Sequence, residues 1–529
     1  MNMVRMAVAS AVMAGLAACG ADEISSPGSG GNITINNPPP SGGGTENPPP
    51  PPPPVETLVT PAAGCPTVAN NPGLTDDGTI SGPTGEYRVC VLPERFTASS
   101  TLTRIPGVLY AMDGRVDVGN DLGATGGAGI TLTVDPGVIV FAKTGVSWLA
   151  VNRGNQIRAV GTAERPIVFT SRDNVLGIAN DDGQGQWGGV VLLGRAPVTD
   201  CTVDPGATPG SANCERQTEG AVQPAYFGGA LPEDSSGRMS YVQIRYSGYV
   251  LEGNSELQSL TLGGTGSGTV IDHIQAHNSS DDGFEIFGGA TNLRNMVVTG
   301  ADDDTVDVDT GFRGTIQYVI GVQKTSGAAD SMIELDSPEA NPTTEEDQQP
   351  RTFLKLANFT FIHRNATTGN GAALRLRGMA DVALINGVLT TPMTALRIDG
   401  PAFLTANAAV GKQGPPVFKS VLFTAASAFR AGDGGVTADQ VAAIFNAADG
   451  NNNASFVSTL TSTFIDGANE AAATATDPTS IDERFDATNY VGAVKDASDT
   501  WYAGWTCNSS TVTFSATGSA CRSLPSLED

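Results

Sequence analysis

Basic residues are scarce in this sequence. Its 529 residues include 29 Lys and Arg against 55 Asp and Glu, which gives a net charge of −26. Binding to a nucleic-acid backbone needs clustered Lys and Arg, and electrostatic docking on anionic lipid needs a basic face. The composition therefore argues against both functions. Because the whole chain has only three histidines, it also argues against a His-rich metal site.

Long apolar runs and several familiar motifs are missing too. After the N-terminal segment, no apolar run reaches the roughly 18 residues that a membrane-spanning helix needs. No Cys-x-x-Cys pair occurs, which removes the usual zinc and thioredoxin-like sites. The sequence offers no Ser–His–Asp order, no phosphate-binding loop and no dinucleotide fingerprint. These absences argue against each of those kinds of site.

The N-terminus is typical of an exported protein. Residues 1–18 carry a positive residue, Arg5, followed by an apolar stretch. The letters LAAC that end at Cys19 resemble the lipobox of bacterial lipoproteins, in which the Cys becomes the first mature residue and carries acyl chains. The resemblance implies a signal peptide over 1–18 and lipidation of Cys19. Gly20 after the cysteine implies sorting to the outer membrane, with the anchored chain at the cell surface or the periplasmic face.

Residues 19–57 combine this lipidated cysteine with a stretch rich in Gly, Ser, Asn and Pro. Ten prolines lie between Pro38 and Pro54, and seven of them are consecutive. A segment of this composition cannot bury a core, so we predict a disordered tether. The proline run favours polyproline II, at about 3.1 Å per residue, which makes the tether a spacer between the membrane and the folded part.

Six cysteines remain once Cys19 is assigned to the lipid anchor. An even number in an exported chain indicates disulfides, and six cysteines allow about fifteen connectivities. Nearness in sequence favours three short loops, which pair Cys65 with Cys90, Cys201 with Cys214, and Cys507 with Cys521.

The middle of the chain is built from short β-rich runs of similar form. Six of them have an apolar–polar–apolar centre: SLTLGG, FEIFGG, VDVDTG, MIELDS, ALRLRG and ALRIDG. Their central residues follow one another at intervals of 24, 22, 27, 41 and 22, and further strand-like runs lie between them. Alternation along a strand points the central side chain outward and its two neighbours inward. We call these central residues the outward column: Thr261, Glu285, Asp307, Glu334, Arg375 and Arg397.

A period of 22 to 24 residues, with several short strands in each repeat, predicts a right-handed parallel β-helix. The fold class is therefore all-β, with coils over 58–435 and a closing segment with a short helix over 436–529. Consecutive coils of such a solenoid lie about 4.8 Å apart, so the residues of the outward column should stack. The longest interval marks an inserted loop, and 337–350 is acidic and contains proline.

The first coils carry a further pattern. It reads G-x-x-I-x-A-x-G-T over 154–162, then P-I-V-F-T-S over 166–171, and then G-Q-W-G-G over 185–189. These stretches resemble a widespread group of bacterial surface proteins with the pectate-lyase-like β-helix fold. The resemblance implies this fold over most of 100–506. It also implies a secreted or lipid-anchored protein that works near outer-membrane transport systems.

The segment 436–449 has the spacing of one amphipathic helix. Thr437 and Gln440 form a predicted capping box, and Gly450 is a predicted C′ residue. Such a helix would close the open end of the coil stack. Three aromatic residues of the last segment should pack back onto the coils, the alternative being a platform for sugars: Trp501, Tyr502 and Trp505.

Acidic residues concentrate on the coils around 280–313. In register, Glu285, Asp307 and Glu334 would repel one another unless a cation or a basic side chain offset their charges. Three hypotheses follow: a solvated edge with Asp capping the turns, a calcium site, or a catalytic site. The candidate calcium ligands are Asp281, Asp282, Glu285, Asp303, Asp304, Asp307, Asp309 and Glu334.

A catalytic site would combine acids of these coils with bases of the next ones. Pectate lyases use Ca²⁺-binding acids with an Arg or Lys base, and polygalacturonases use clustered aspartates. The G-H-G and R-I-K motifs of polygalacturonases are absent here. The arginines of the outward column either form a groove of both charges with the acids or are ordinary strand-face charge. The catalytic candidates are Asp282, Asp304, Asp307, Arg375 and Arg397.

The favoured function is non-enzymatic. We expect an outer-membrane lipoprotein whose β-helix binds a partner or ligand at the cell surface, as an accessory to an outer-membrane β-barrel transporter or in contact with a surface polysaccharide. One alternative is a polysaccharide lyase or glycoside hydrolase that acts on acidic polysaccharide. Another is a structural or adhesive rod. Ca²⁺ is the cofactor that the acidic residues suggest, and no nucleic-acid partner is expected.

Overall fold

The computed structural model describes residues 58–252, 255–327, 329–337, 349–365, 371–408 and 411–525. The predicted signal peptide over 1–18, the lipidated Cys19 and the tether up to residue 57 lie outside the described residues, as does most of the predicted loop over 337–350. Within the described residues no helix is long and apolar enough to cross a membrane.

The strands wind into three parallel ladders that run the length of one 24-stranded sheet. Each strand pairs with the strand of the next coil, so the ladders form the sides of a β-helix. The predicted fold class is therefore confirmed. The third ladder contains Arg95–Phe96, Arg115–Val118, Trp148–Val151, Val190–Leu193, Leu260–Gly263, Phe284–Phe287, Val306–Asp309, Ile333–Leu335 and Ala372–Leu376.

The first and second ladders start as separate strands and later share long ones. The first begins with Gly85–Val91, Val108–Met112, Ile139–Ala142 and Ile167–Ser171. The second begins with Ser100–Leu102, Thr131–Val134 and Gln156–Val160. The strands that serve both ladders are Gly237–Arg245, Val270–His277, Asn292–Thr299, Ile316–Val322, Phe353–Ile362, Asp381–Ile398 and Val417–Phe429. The last two also reach into the third ladder.

One left-handed residue makes the corner in each of these long strands. Seven residues at equivalent positions have φ between 53° and 64°, and Asn, which tolerates this conformation, provides three of them. A single residue of this kind redirects the chain without ending the strand. The seven are Tyr241, His273, Asn295, Tyr318, Asn358, Asn386 and Ser420.

The core fills the inside of the coils. Phe284 and Ile286 point inward on one strand of the third ladder, and Val306 and Val308 point inward on the next; all are buried in the main apolar cluster. This cluster continues from the first coils to Phe445. Burial of apolar area at about 25 cal/mol per Å² drives this stacking, as the predicted alternation requires.

Two segments cover outer faces of the coils. The loop over 198–227, which we call the covering loop, contains Arg216–Gln217 and Tyr226–Phe227 and packs on the outer side of the third ladder. The hairpin of Val250–Glu252 and Ser255–Glu256 packs against the same apolar cluster through Leu251. The C-terminal segment packs on the outer side of the first ladder through a separate apolar cluster.

The packing of the C-terminal aromatics is confirmed. Trp505 is fully buried and Tyr502 nearly so, and both belong to the cluster on the first ladder. The indole of Trp501 donates to the carbonyl of Ala493 at 3.0 Å. Because Tyr502 and Trp505 fill the contact between the segment and the coils, these two rings do not present the free face that a sugar platform needs.

The end of the coil stack is closed by the helix Ala438–Phe445. The predicted capping box of Thr437 and Gln440 is confirmed. The helix is shorter than predicted, because it ends at the C-cap residue Asn446 and not beside Gly450. The side-chain amide of Asn452 donates a hydrogen bond to the carbonyl of Phe445 at 2.7 Å and so caps the helix in place of the expected glycine. The Phe445 ring packs on Phe423, Phe418 and Phe429 of the last coil.

Few other helical turns interrupt the strands. At the opposite end, Thr75–Gly82 forms an antiparallel hairpin with Gly85–Val91. The short helices are Arg172–Val175 and Ala468–Ala471, and the 3-10 turns include Pro401–Leu404, Asp433–Gly435 and Pro478–Ser480. The three predicted disulfides are confirmed as Cys65–Cys90, Cys201–Cys214 and Cys507–Cys521.

Candidate functional site

The outward column stacks in the predicted register. Each of its residues pairs with the next through the third ladder, strand against strand, from Thr261 to Arg397. Four carboxylate or guanidinium side chains therefore follow one another on adjacent coils between Glu285 and Arg375. The short apolar–polar–apolar runs thus bring side chains that are far apart in sequence to one line.

Three acids in or beside this line are buried, and a solvated edge does not describe those three, whereas Asp307 and Glu334 are half-buried. Glu285 points out of the coil as predicted, yet it is 7% exposed, and Asp282 and Asp304 are 5% and 1% exposed. The cause is the cover on this side of the ladder. The ring of Phe287, two residues after Glu285, packs on Phe227 of the covering loop at 5.8 Å.

The later half of the column is charge-compensated. Arg375 lies 2.8 Å from Glu334 and 3.4 Å from Asp399. Arg377, two residues further along the strand, lies 3.0 Å from both Glu334 and Asp336. Arg397 lies 2.7 Å from Asp399 in the same way. The arginines are therefore engaged by carboxylates of the ladder and do not form an open groove of both charges.

The earlier half has no such ion pair among the described residues, although the charge of Arg377 partly opposes the raised pKa of Asp307. Within the described part of the chain, no Lys, Arg or His lies within 4.0 Å of its carboxylates. We call this group the acidic cluster: Asp281, Asp282, Glu285, Asp303, Asp304 and Asp307.

The missing compensation shows in the acidity of these groups. Burial, reinforced by the neighbouring carboxylates, raises the pKa of Asp281 and of Asp303 to about 7. The same two causes raise the pKa values of the other members of the acidic cluster well above their usual range. A bare cluster therefore holds protons that a bound cation would displace.

Ligand atoms converge at two places in the acidic cluster. One oxygen from each of Asp281, Asp282 and Asp303 lies within 4.8 Å of the others, and the same holds for Asp282, Glu285 and Asp307. Glu285 Oε2 and Asp307 Oδ1 are buried and accept no hydrogen bond from the described residues. Clustered carboxylate oxygens are the ligands that Ca²⁺ prefers. The donor set therefore fits a hard divalent cation.

Two of the predicted ligands, Glu334 and Asp309, lie outside the two convergent sets. Glu334 is engaged by Arg375 and Arg377. Burial raises the pKa of Asp309 to about 6, although Arg216 of the covering loop opposes the shift. Five of the remaining six predicted ligands form the two convergent sets, and the sixth, Asp304, accepts a hydrogen bond from the amide of Ser331 at 2.7 Å.

Sequence reasoning missed several charged residues at this site. Arg377 and Asp399 lie two positions after members of the outward column, so the period of two could have found them. Glu219 comes from the covering loop and Glu256 from the hairpin after Gly237–Arg245, and their charges raise the pKa of Asp281. No repeat or spacing in the sequence links these two glutamates to the ladder.

The comparison with known families agrees with this architecture. A family model described as a pectate-lyase like beta helix domain matches residues 109–506. No curated protein and no solved structure matches the chain. Since the matched stretch covers most of the 529 residues, the chain belongs to this β-helix family.

Proposed function

We propose that this member of the pectate-lyase-like β-helix family is a cell-surface lipoprotein that binds Ca²⁺ in its acidic cluster and acts as a non-enzymatic binding protein. The observation that carries the cation is the environment of Glu285. Glu285 is only 7% exposed, and its Oε2 atom accepts no hydrogen bond from any described residue. Burying a carboxylate without a partner is costly, and a cation held by Asp282, Glu285 and Asp307 would offset that cost.

The non-enzymatic part of the proposal is supported by the state of the arginines. A lyase needs a basic side chain that is free to take a proton from its substrate. Arg375 and Arg397 are each held by carboxylates of the ladder, at 2.8 Å and 2.7 Å. Of the acids they were expected to work with, Asp282 and Asp304 are buried. A lyase or hydrolase is therefore the less favoured alternative.

The surface location is supported by the sequence alone. The LAAC letters at Cys19 and the proline-rich tether that follows suggest a lipid anchor and a spacer. Labelling of the full chain with a palmitate analogue should depend on Cys19, and Cys19→Ser should abolish it. Persistence of the label in the variant would contradict the anchor.

Isothermal titration of the full chain in mild detergent tests the cation. After treatment with EDTA and its removal, Ca²⁺ should bind the wild type, and Asp307→Asn should weaken binding at least about tenfold, since it removes one anionic ligand. Glu164→Gln is the matched control, because Glu164 is exposed and lies away from the acidic cluster. Absence of Ca²⁺ binding by the wild type would contradict the proposal.

The partner is tested by co-purification. The full chain, tagged at its C-terminus, is extracted from outer membranes in mild detergent and its stoichiometric companions are identified. A β-barrel companion supports the accessory function. A solitary chain that shortens an acidic polysaccharide in the presence of Ca²⁺ would replace it with the enzyme alternative, and a solitary inactive chain would leave a structural rod.

A further inference from the structure

We infer that a second site, apart from the acidic cluster, binds a phosphorylated sugar in a cavity where the C-terminal segment meets the first ladder. The cavity has a volume of about 520 Å³. Small-molecule sites commonly enclose about 300–1,000 Å³, so a ligand of the size of a hexose phosphate fits. No member of the acidic cluster lines the cavity, so the inference is independent of the proposed function. The lining residues that carry the argument are Arg364, Ser462, Thr463, Tyr502, Ser510 and Thr513.

Three parts of the chain meet around this cavity. Arg364 follows the strand Phe353–Ile362, at the end of the first ladder. Residues 461–465 form a tight turn that two backbone hydrogen bonds of 2.8 and 2.9 Å close. Residues 510–516 belong to the loop of the Cys507–Cys521 disulfide. The turn and the disulfide therefore hold the C-terminal part of the lining in place.

Arg364 supplies a positive charge that no carboxylate neutralises. Its Nη1 donates a hydrogen bond to the carbonyl of Thr511 at 2.8 Å, and it forms no ion pair among the described residues. Burial lowers the pKa of Arg364, and no neighbouring carboxylate raises it again. An arginine stays charged at neutral pH and has about five N–H donors, so most of them are left for a ligand. In a chain of net charge −26, a half-buried arginine without an acid partner indicates an anionic ligand.

Two acids border the lining without cancelling this charge. Asp466 comes directly after the turn 461–465, and burial raises its pKa to about 9, so it is uncharged at neutral pH. Asp181 accepts a hydrogen bond from the backbone amide of Ser510 at 2.8 Å, and its charge does not raise the pKa of Arg364. A phosphate group at Arg364 would therefore meet a positive charge that no carboxylate has claimed.

Hydroxyl groups and aromatic rings line much of the cavity. The rings of Phe464, Tyr502 and Phe514 pack together with centroids 4.7 to 6.1 Å apart and supply apolar lining. Hydroxyls beside aromatic rings suit a sugar, which has polar edges and apolar faces. The hydroxyls that form no hydrogen bond with another described residue are those of Ser462, Thr463, Ser510 and Thr513.

The turn 461–465 carries backbone strain beside the cavity. Ser462 and Thr463 have φ of 48° and 81°, in the left-handed region. A β-branched residue such as Thr is a genuine outlier there. Strain of this kind collects at binding and catalytic sites, where the surrounding structure holds a group in place for a ligand. It is a second indication of a site, beside the unpaired arginine.

Isothermal titration of the full chain, in mild detergent with EDTA, tests the site with glucose 6-phosphate, inorganic phosphate and glucose. Glucose 6-phosphate should bind, and each of the other two should bind at least about tenfold more weakly, because each lacks one part of the ligand. Arg364→Met should weaken binding of glucose 6-phosphate at least about tenfold. Arg158→Met, at an exposed residue of the second ladder, should leave it unchanged.

A matched pair of substitutions at Thr513 keeps the test independent of folding, because this residue is exposed. Thr513→Glu places a carboxylate beside the phosphate and should weaken binding at least about tenfold, whereas Thr513→Gln should weaken it less than about threefold. Inorganic phosphate that binds as tightly as the ester would overturn the sugar. Binding that is indifferent to Arg364→Met or to Thr513→Glu, or no binding by the wild type, would overturn the site. None of these results depends on Ca²⁺, so the proposed function is tested separately.

Discussion

The guanidinium of Arg375 lies 2.8 Å from Glu334, and the two residues hold paired positions on neighbouring strands of the third ladder. This pair marks the point at which the outward column changes from acids without a basic partner to acids that have one. On one side are Glu285 and Asp307, and on the other are Arg375 and Arg397. Among the described residues, the acids before this point therefore have no ion-pair partner, and Glu334 has two.

Loss of Arg375 should destabilise the coils. Arg375→Met leaves Glu334 with Arg377 as its remaining partner, so we expect a loss of about 2 kcal/mol, below the 3–5 kcal/mol typical of a fully orphaned buried charge. The measurement is chemical unfolding followed by circular dichroism. Arg158→Met is the control, because Arg158 is exposed on the second ladder. Equal stability of the two variants would contradict the role of the pair.

Phe445 should be the main contact that closes the coil stack. Its ring lies 4.3 Å from the ring of Phe423, and it is fully buried. Phe445→Ala should cost about 3 kcal/mol, the lower end for a buried Phe. Val457→Ala, at a residue that is 69% exposed, should change the unfolding midpoint little. An equal effect of both substitutions would show that the helix is not needed as a cap.

The sequence predicted the ladder register well and its burial poorly. Register followed from the alternation in runs such as FEIFGG and VDVDTG, because a shift of one residue would turn Phe284 and Ile286 out of the core. Burial of Glu285 depends on the covering loop, whose side chains reach the ladder through tertiary packing that no periodic pattern records. The predicted length of the closing helix was wrong for a similar reason, because the helix is capped by the side chain of Asn452, six residues beyond Asn446.

The C-terminal disulfide loop should depend on Arg245. This fully buried guanidinium donates to the carbonyls of Cys521 and Ser523, each at 2.8 Å. In Arg245→Met those carbonyls lose their donor, and hydrogen exchange over 507–523 should quicken roughly tenfold. Arg238→Met is the control on the same strand, since the Arg238 side chain is 51% exposed. Unchanged protection in Arg245→Met would contradict this role.

Asp466 should make the folded chain less stable as pH rises. Burial, with Glu470 and Asp499 nearby, raises the pKa of Asp466 to about 9, and neither of its carboxylate oxygens has a hydrogen-bond partner among the described residues. The unfolded chain ionises this group at about pH 4, so it binds fewer protons than the folded chain between about pH 4 and 9. Stability is lost across that window, by at most about 1.4 kcal/mol per pH unit.

The substitution Asp466→Asn isolates this effect. The stability of the variant relative to the wild type should increase between pH 5 and pH 8, because an asparagine at this position cannot ionise in the unfolded chain. Thermal unfolding at both pH values gives the comparison, and Asp439→Asn, at an exposed helix residue, is the control. A difference between Asp466→Asn and the wild type that does not grow with pH would contradict the raised pKa.

Thermal unfolding of the full chain with and without Ca²⁺ tests the central claim most directly. A ligand that binds only the folded state at a hundred times its Kd adds about 2.7 kcal/mol to the free energy of unfolding. We predict that Tm of the EDTA-treated wild type rises with Ca²⁺ concentration and that Tm of Asp307→Asn rises far less. A wild-type Tm that stays constant from EDTA to millimolar Ca²⁺ would contradict the account.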